Sequence, residues 1–388
     1  MTSYSLFADL PLVVERMALH GLELAVTEQF LRRTTVIGLE GIGEEGVGED
    51  VVYEADDQER FQAAGPPPGL VGEHTLASFS ALLEGLPELR RWGFEAAALD
   101  LALRQRGVPL HEVLGREPQP VRFVVSTGPQ RIGHIREVHP DMRFKLDPTS
   151  EWDKALVQRL AELDGVDVVD FKEIYTWREA SLSAGADLYR WIVEALPNAL
   201  IEDPGLDDPR KAEILEPHRG RITWDAPIHS VADVDGLPFP PLTLNSKPSR
   251  FGSLRGLLDF YDACAERGIA LYGGGQFELG PGRGQIQYLA SLFHPDAPND
   301  VAPSEYNRPE SAAGRRASNG TLRSRSTSAP RPSRQGAQPG ARRRPTAVAP
   351  GRLGTSAARE SGPATSRPPS DQIRSMHPSG RIRWARRC

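Results

Sequence analysis

Cysteine is almost absent from this chain. Only Cys264 and Cys388 occur among 388 residues, so neither a disulfide framework nor a cysteine-based zinc site can be built. Any metal must be held by oxygen or histidine. Long apolar runs are missing as well: no stretch reaches the roughly 20 uninterrupted apolar residues that a spanning helix needs. The opening MTSYSLFADLPLVVER has neither a basic start nor an apolar signal core. A membrane channel is excluded, and a cytoplasmic protein is expected. Lysine is scarce too, since five residues, Lys145, Lys154, Lys172, Lys211 and Lys247, are the only lysines among 46 Lys and Arg.

What is present divides into two unlike pieces. The formal net charge of −6 averages a tail and a body of opposite sign. Residues 309–388 hold seventeen arginines against Glu310, Glu360 and Asp371, a charge of +14, which leaves −20 on residues 1–308. A strongly acidic body repels nucleic acid. The tail is rich in Pro, Ser, Gly and Arg, has no aliphatic periodicity, and cannot bury enough surface to offset its chain entropy. It reads as disordered. A solvated extension, a nucleic-acid-binding arm and an out-of-frame translation of GC-rich DNA all fit its composition.

Residues 1–118 open with the alternating segments LPLVVERMALHG, LELAVTEQF and TTVIGLEG, pass a Gly/Glu-rich stretch, GIGEEGVGED, that reads as a loop, and then turn helical. In LPELRRWGFEAAALDLALRQRG the apolar residues Leu89, Trp92, Phe94, Ala97, Leu99, Leu101 and Ala102 recur at helical spacing, with Gly107 as the stop. The result is an α+β lobe. From residue 119 to 308 short β runs alternate with helices: VRFVVST, MRFKLD, VDVVDFK, NALIED, RITWDAP, LTLNSK, IALYGGG and NDVAP read as strands. Repeated βα alternation means a parallel sheet. Eight strands in about 190 residues fit a compact barrel better than an open doubly wound sheet, and no GxGxxG follows the first strand.

Five of these strand ends carry charge where a buried parallel strand should be apolar: Lys145, Asp170 with Lys172, Glu202 with Asp203, Asp225, and Lys247. Their separations of 25, 32, 23 and 22 residues are each about one βα unit, so in a barrel they share one face. Side chains alternate along a strand, which sends Asp170 and Lys172 inward together, and Asn245 with Lys247. Three clustered carboxylates call for a counter-ion, and an all-oxygen set suits Mg²⁺, with Mn²⁺ as a substitute. Three of the five lysines sit at these ends. A chain that otherwise uses arginine has placed its titratable cation where desolvation and a divalent ion can lower its pKa, which suits a base.

One Lys or Asp at a strand end is ordinarily a rim residue in a surface salt bridge, whereas five in register point to a site. Lys172 reads equally as a base or as the partner of Glu173 or another carboxylate. His229 and His294, beside Ser or Pro, read as surface residues, and Trp224 as a packing residue.

IEDPG, TWDAP, LNSKPSRFGSL, the helix ending AERG and the strand YGGGQFELG resemble the second half of the enolase superfamily, in particular its muconate-lactonising and mandelate-racemase branches. FEAAALDLALRQRGVPLHEVLGRE resembles the end of those enzymes' capping domain. The resemblance covers nearly all of residues 1–308. It implies an α/β fold, a modified (β/α)₇β TIM barrel at 119–308 under an α+β capping domain at 1–118. It also implies a lyase or isomerase that removes the proton alpha to a substrate carboxylate through a Mg²⁺-stabilised enediolate, as racemases, cycloisomerases and dehydratases do. Carried over by position, Asp170, Glu202 and Asp225 match the metal ligands and Lys247 the lysine of strand six. Strand two departs from Lys-x-Lys: Lys145 is either the second member of Arg143-x-Lys145 or the first of a pair whose partner is Asp147. Strand three has Asp-Phe-Lys where Asp-Ala-Asn is usual.

The candidate catalytic residues are thus Lys145, Lys247 and Lys172. Asn245, Gln276 and Glu278 are candidates for substrate contact, together with a cap loop around Gly41 to Gly48. The expected partners are a small carboxylate substrate and further copies of the chain, with no membrane and no nucleic acid except through the tail. Two other functions fit the same residues: a class I aldolase-like barrel with a Schiff base on Lys247, and a non-catalytic scaffold whose basic tail binds nucleic acid.

Overall fold

The computed structural model describes residues 2–26, 30–175 and 184–303, which lie within one compact unit. The arginine-rich segment 309–388 lies outside the described residues. The N-terminal part contains β1 (Pro11–Val14), β2 (Arg16–Ala25), β3 (Leu31–Gly41), β4 (Glu44–Asp50), α1 (Ala55–Ala64), β5 (Gly72–Thr75), α2 (Leu76–Leu82), α3 (Glu88–Arg106) and α4 (Leu110–Leu114). β2, β3 and β4 form an antiparallel sheet, with Arg16 opposite Glu40 and Thr35 opposite Asp50. β1 pairs with β5 in a second, two-stranded sheet.

Most of GIGEEGVGED is not a loop: Gly41 ends β3, Ile42 and Gly43 form a turn, and Glu44–Asp50 is strand β4. Its period-2 signal is hidden because the positions facing α3 are glycine: a Cβ on Gly48 would lie 2.0 Å from the Gly93 carbonyl oxygen, and one on Gly46 2.3 Å from the Leu101 nitrogen. The β4 backbone rests directly on the α3 backbone, which only glycine permits. Residues 44–48 are therefore strand, and the turn between β3 and β4 is confined to Ile42 and Gly43. The expected helix is α3, closed by Gly107 in the left-handed region at φ 69°, with Arg104 and Arg106 in the last turn, where the helix dipole favours cations.

The second part alternates β6 (Val124–Ser126), α5 (Ile132–Val138), β7 (Arg143–Leu146), α6 (Lys154–Glu162), β8 (Val166–Asp170), α7 (Ala186–Ala195), β9 (Leu200–Glu202), α8 (Pro209–Leu215), β10 (Ile222–Thr223), α9 (Val231–Asp235), β11 (Thr243–Ser246), α10 (Leu254–Glu266), β12 (Ala270–Gly273) and α11 (Pro281–Phe293). β6 to β10 form a parallel five-stranded sheet in sequence order, and β11 pairs in parallel with β12. The Asn245 N–H donates to the Trp224 carbonyl over 3.1 Å, joining β10 to β11. Asn299 and Asp300 make parallel bridges to Phe123 and Gly274. Two expected strands shorten most. RITWDAP contracts to Ile222–Thr223, because the chain turns at Asp225, whose carbonyl accepts the Ile228 N–H. NDVAP pairs only through those two bridges.

Every residue of β8 is buried, as a parallel strand covered on both faces requires. α7 supplies one such cover, with Leu188, Tyr189, Ile192 and Val193 on its inner face. Trp224 is buried against Phe239, the packing role expected of it.

Three buried polar contacts fix the N-terminal part beside the ends of the later strands. Arg32, fully buried, donates to the carbonyls of Gln276 and Phe277 as well as Val51 and Val52. Glu49 accepts from the N–H groups of Leu279, Gly280 and Gly282 at 2.7–3.1 Å, placing a carboxylate at the positive end of α11. Glu95 accepts the Leu254 N–H at the start of α10.

Candidate active site

The C-terminal ends of β7 to β11 converge because each strand is parallel and stops within a few residues of its charged side chain. Lys145, on β7, is buried, and its Nζ stands 2.6 Å from Glu202 Oε1 and 3.1 Å from Asp170 Oδ2. Burial works against the ammonium, yet Asp170 and Glu202 outweigh it and hold the Lys145 pKa well above the ordinary lysine value. Glu202 is anchored on its other oxygen by the Tyr272 hydroxyl at 2.6 Å, and Asn245 Nδ2 approaches Oε1 at 3.5 Å.

Lys172 follows β8 with a left-handed φ of 52°, a conformation that a lysine adopts only when its surroundings hold it there. That turn wraps it around Asp170: its N–H donates to Oδ1 at 3.1 Å while its Nζ lies 3.4 Å from Oδ2 and 2.8 Å from Asp147 Oδ2. Lys172 thus pairs with Asp147 and Asp170 and not with Glu173, whose carboxylate meets Lys211 at 3.2 Å. The strand-two alternatives separate here. Arg143 is engaged with Asp167 over 2.7 Å, outside the cluster, whereas Asp147 belongs to it.

Asp225 is enclosed by cations. Its Oδ2 lies 2.6 Å from Lys247 Nζ and 3.1 Å from the Tyr175 hydroxyl, and its Oδ1 lies 2.9 Å from Arg250 Nη1. Despite complete burial, Arg250 and Lys247 hold the Asp225 carboxyl far below the usual range. The trio whose oxygens lie within 4.8 Å of one another is therefore Asp170, Glu202 and Asp203. Burial and the facing charges of Asp225 and Asp170 push Asp203 up to about 7.

The three expected metal residues and three expected lysines are thus brought into one network, with Asn245 at its floor. Gln276 and Glu278 stand beside it in the loop that follows β12. Gln276 is buried and lends its main-chain carbonyl to Arg32, and its N–H to Glu278 Oε1. Glu278, 4% exposed, is paired with Arg283 at 3.1 Å, so its charge is already balanced. His229 meets Glu88 at the surface as expected, but His294 is buried, its Nδ1 2.6 Å from Asn299 Oδ1.

Sequence reasoning missed Tyr175, Arg250, Tyr272, Tyr53 and Asp300. Arg250 stands one turn beyond Lys247, a spacing that could have flagged it. Tyr53 comes from the N-terminal part, and burial raises its phenol pKa, with Arg32, Glu278, Arg250 and Lys172 close enough to act on it. Asp300 is raised by burial while Lys145, Arg283 and Lys247 lower it.

The donor set fits a divalent ion. Asp147, Asp170, Glu202, Asp203, Asp225 and Asp300 supply six carboxylates against the four cations Lys145, Lys172, Lys247 and Arg250. Burial, together with the facing carboxylates, pushes the Glu202 and Asp203 carboxyls up, so a divalent cation among them relieves their repulsion, and oxygen donors suit Mg²⁺ or Mn²⁺.

Residues 5–113 match the N-terminal domain, and residues 117–308 the C-terminal domain, of the domain of unknown function DUF8230. An N-succinylamino acid racemase of an Amycolatopsis species is 28% identical over 318 residues, covering 76% of this chain and 84% of that protein. An o-succinylbenzoate synthase of Bacillus subtilis is 28% identical over 226 residues, 55% of this chain and 58% of that protein. Among solved structures, a dipeptide epimerase from Methylococcus capsulatus complexed with Mg ion aligns with a TM-score of 0.60 at 21% identity, over 74% of this chain and 89% of that one. An enolase superfamily member from Listeria innocua aligns with a TM-score of 0.58 at 18% identity, over 76% and 86%. No helix among the described residues is long and apolar enough to cross a membrane.

Proposed function

The chain belongs to the enolase superfamily, and from that premise we propose that it is a metal-dependent isomerase or lyase acting on the proton alpha to a carboxylate. One observation carries the reading. Lys145 and Lys247 flank the buried carboxylates in strand order, one from β7 and one just after β11, each on a different carboxylate. We read residues 119–308 as the modified (β/α)₇β barrel, with Asn299 and Asp300 as its eighth strand, and residues 1–118 as its cap.

Asp170, Glu202 and Asp225 would hold a Mg²⁺ or Mn²⁺ ion, with Asp203 beside them. When bound, the ion supplies a Lewis acid for the substrate carboxylate. The rest falls to the chain. Lys145 Nζ now carries its proton because Glu202 and Asp170 favour the ammonium; to take a proton from carbon it must first be neutral, which requires those carboxylates to find another positive partner. Lys247 Nζ is engaged with Asp225 Oδ2 at 2.6 Å, on the other side of the carboxylates. Each lysine then offers a base or an acid from its own side of the cluster. Tyr272 fixes Glu202, and Arg250 fixes Asp225, so that neither carboxylate follows the moving lysine. The cap residues Arg32 and Tyr53 stand beside the loop after β12 and exclude water from that side.

The printed activities of the relatives supply the first candidates: N-succinylamino acids, the precursor of o-succinylbenzoate, and dipeptides. Incubation of the protein with each in D₂O and Mg²⁺, followed by NMR, tests the reading. Deuterium entering the alpha position, and stopping on addition of EDTA, is the expected result. A covalent adduct trapped by borohydride on Lys247, with activity that survives EDTA, would instead favour the imine reading.

A further inference from the structure

We propose that Asp203 is a positioning residue that aims Asp225, and that it does so by replacing the strand pairing that β10 lacks. The proposal rests on the metal-site reading above. β10 ends at Thr223, two residues before Asp225, where its ladder to β9 has already stopped with Thr223 opposite Glu202. No main-chain pairing to β9 holds Asp225 itself. Asp203 takes over at that point. Its N–H donates to the Thr223 carbonyl at 3.0 Å. Its Oδ1 then accepts the Asp225 N–H and its Oδ2 the Ala226 N–H, each at 2.9 Å.

The side chain thus works as two further rungs, one oxygen per amide. Reaching them requires Asp203 to adopt a left-handed φ of 46°, a region where Asp is among the few non-glycine residues commonly found. Asp203 is fully buried, so its two acceptors serve these amides and do not face solvent. On the far side the Asp225 carbonyl accepts from Arg250 Nη1. The Asp225 peptide is therefore gripped at its N–H by Asp203 and at its C=O by Arg250, which leaves its carboxylate a fixed origin from which to reach an ion. Shifting that origin by a few tenths of an ångström costs ion affinity, since partners that orient a ligand typically contribute 10–100-fold.

Asp203 also lies within the close trio with Asp170 and Glu202, so direct ligation is the rival role, and the experiment separates the two. Mn²⁺ binding to the full chain is measured by calorimetry, and the number of waters on the bound Mn²⁺ by proton relaxation, for wild type, Asp203→Asn and Asp203→Glu. Asparagine turns one of the two acceptors into a donor, and glutamate keeps the charge but displaces both oxygens. Both variants are expected to melt cooperatively and to bind Mn²⁺ about 10–100-fold more weakly, with the wild-type number of waters. An added water in Asp203→Asn would mean a lost ligand and overturn the positioning role. Unchanged affinity in either folded variant overturns it as well, as would failure of both to fold, which would assign Asp203 to the fold alone. Wild type that takes up no Mn²⁺ removes the metal reading and this role together, an outcome distinct from the others.

Discussion

Lys145 Nζ sits between Glu202 Oε1 at 2.6 Å and Asp170 Oδ2 at 3.1 Å, so one buried ammonium holds together two carboxylates that would otherwise repel each other. The pair is buried on both sides, where breaking an ion pair by removing one partner leaves an uncompensated charge.

The metal-free protein should accordingly be sensitive to Lys145→Met. Loss of the ammonium is expected to cost about 3–5 kcal/mol of stability, seen as a lower urea midpoint in EDTA. Because the carboxylates then lack their internal cation, added Mg²⁺ should raise the midpoint more in the variant than in wild type. An equal Mg²⁺ effect in both proteins would show that Lys145 and the ion do not share those oxygens.

Gly48→Ala tests the strand that replaced the expected loop. Its Cβ would fall 2.0 Å from the Gly93 carbonyl oxygen and 2.8 Å from the Ala97 nitrogen, both backbone atoms of α3. A loop would absorb a methyl group without effect. Here overpacking should cost about 1–3 kcal/mol or more, measured by denaturant unfolding, and a variant of wild-type stability would place residues 44–50 away from α3.

The site was legible where its chemistry was carried by rare residues at regular spacing. Five lysines in the whole chain, three of them at strand ends, drew attention to Lys145, Lys172 and Lys247, and the spacing of Asp170, Glu202 and Asp225 placed them on neighbouring strands. What the sequence concealed was how the groups share one another. Asp203 looks like one more acid after Glu202, and only the short β10 shows that it serves main-chain amides. Arg250 and Tyr175 converge on Asp225 from two different loops, a meeting that no periodicity encodes. The β4 strand was hidden for a related reason, since two of its positions facing α3, Gly46 and Gly48, carry no side chain.

His294 was misread because its neighbours Phe293 and Pro295 say nothing of Asn299, which binds its Nδ1. Its Nε2 is buried without a hydrogen-bond partner, so a proton there would add an unsolvated charge, and burial lowers the ring to about 4 from an ordinary 6.5. Between those values the unfolded chain binds the extra proton and the folded chain does not. Stability therefore rises with pH from about 4 to about 6.5 and is lost as pH falls through that window, by about 3 kcal/mol for a shift of this size. Urea midpoints of the metal-free protein at pH 4.5 and pH 7 should differ by less in His294→Gln than in wild type. An identical difference would place the acid sensitivity elsewhere.

The assignment of the bases makes the sharpest demand on the site. Lys145 and Lys247 approach the carboxylates from opposite ends of the strand order β7 to β11, so a substrate held among them presents one side of its alpha carbon to each. Lys172 is the competitor, since its ammonium reaches the same Asp170 oxygen as Lys145 does, at 3.4 Å against 3.1 Å. The difference between the two is what surrounds them. Lys145 is enclosed, while Lys172 is a quarter exposed and also held by Asp147 at 2.8 Å, a carboxylate that keeps it charged even when Asp170 is otherwise occupied. A residue kept charged is a poor base and a good electrostatic partner. In D₂O, Lys145→Ala should therefore stop deuterium exchange into one enantiomer of a substrate and Lys247→Ala into the other, each by about 10²–10⁴-fold if proton transfer is what is lost. Lys172→Ala should slow both enantiomers alike and more mildly. If Lys172→Ala abolishes exchange of one enantiomer while Lys145→Ala leaves both intact, the base stands after β8 and Lys145 is the structural counter-ion of Glu202.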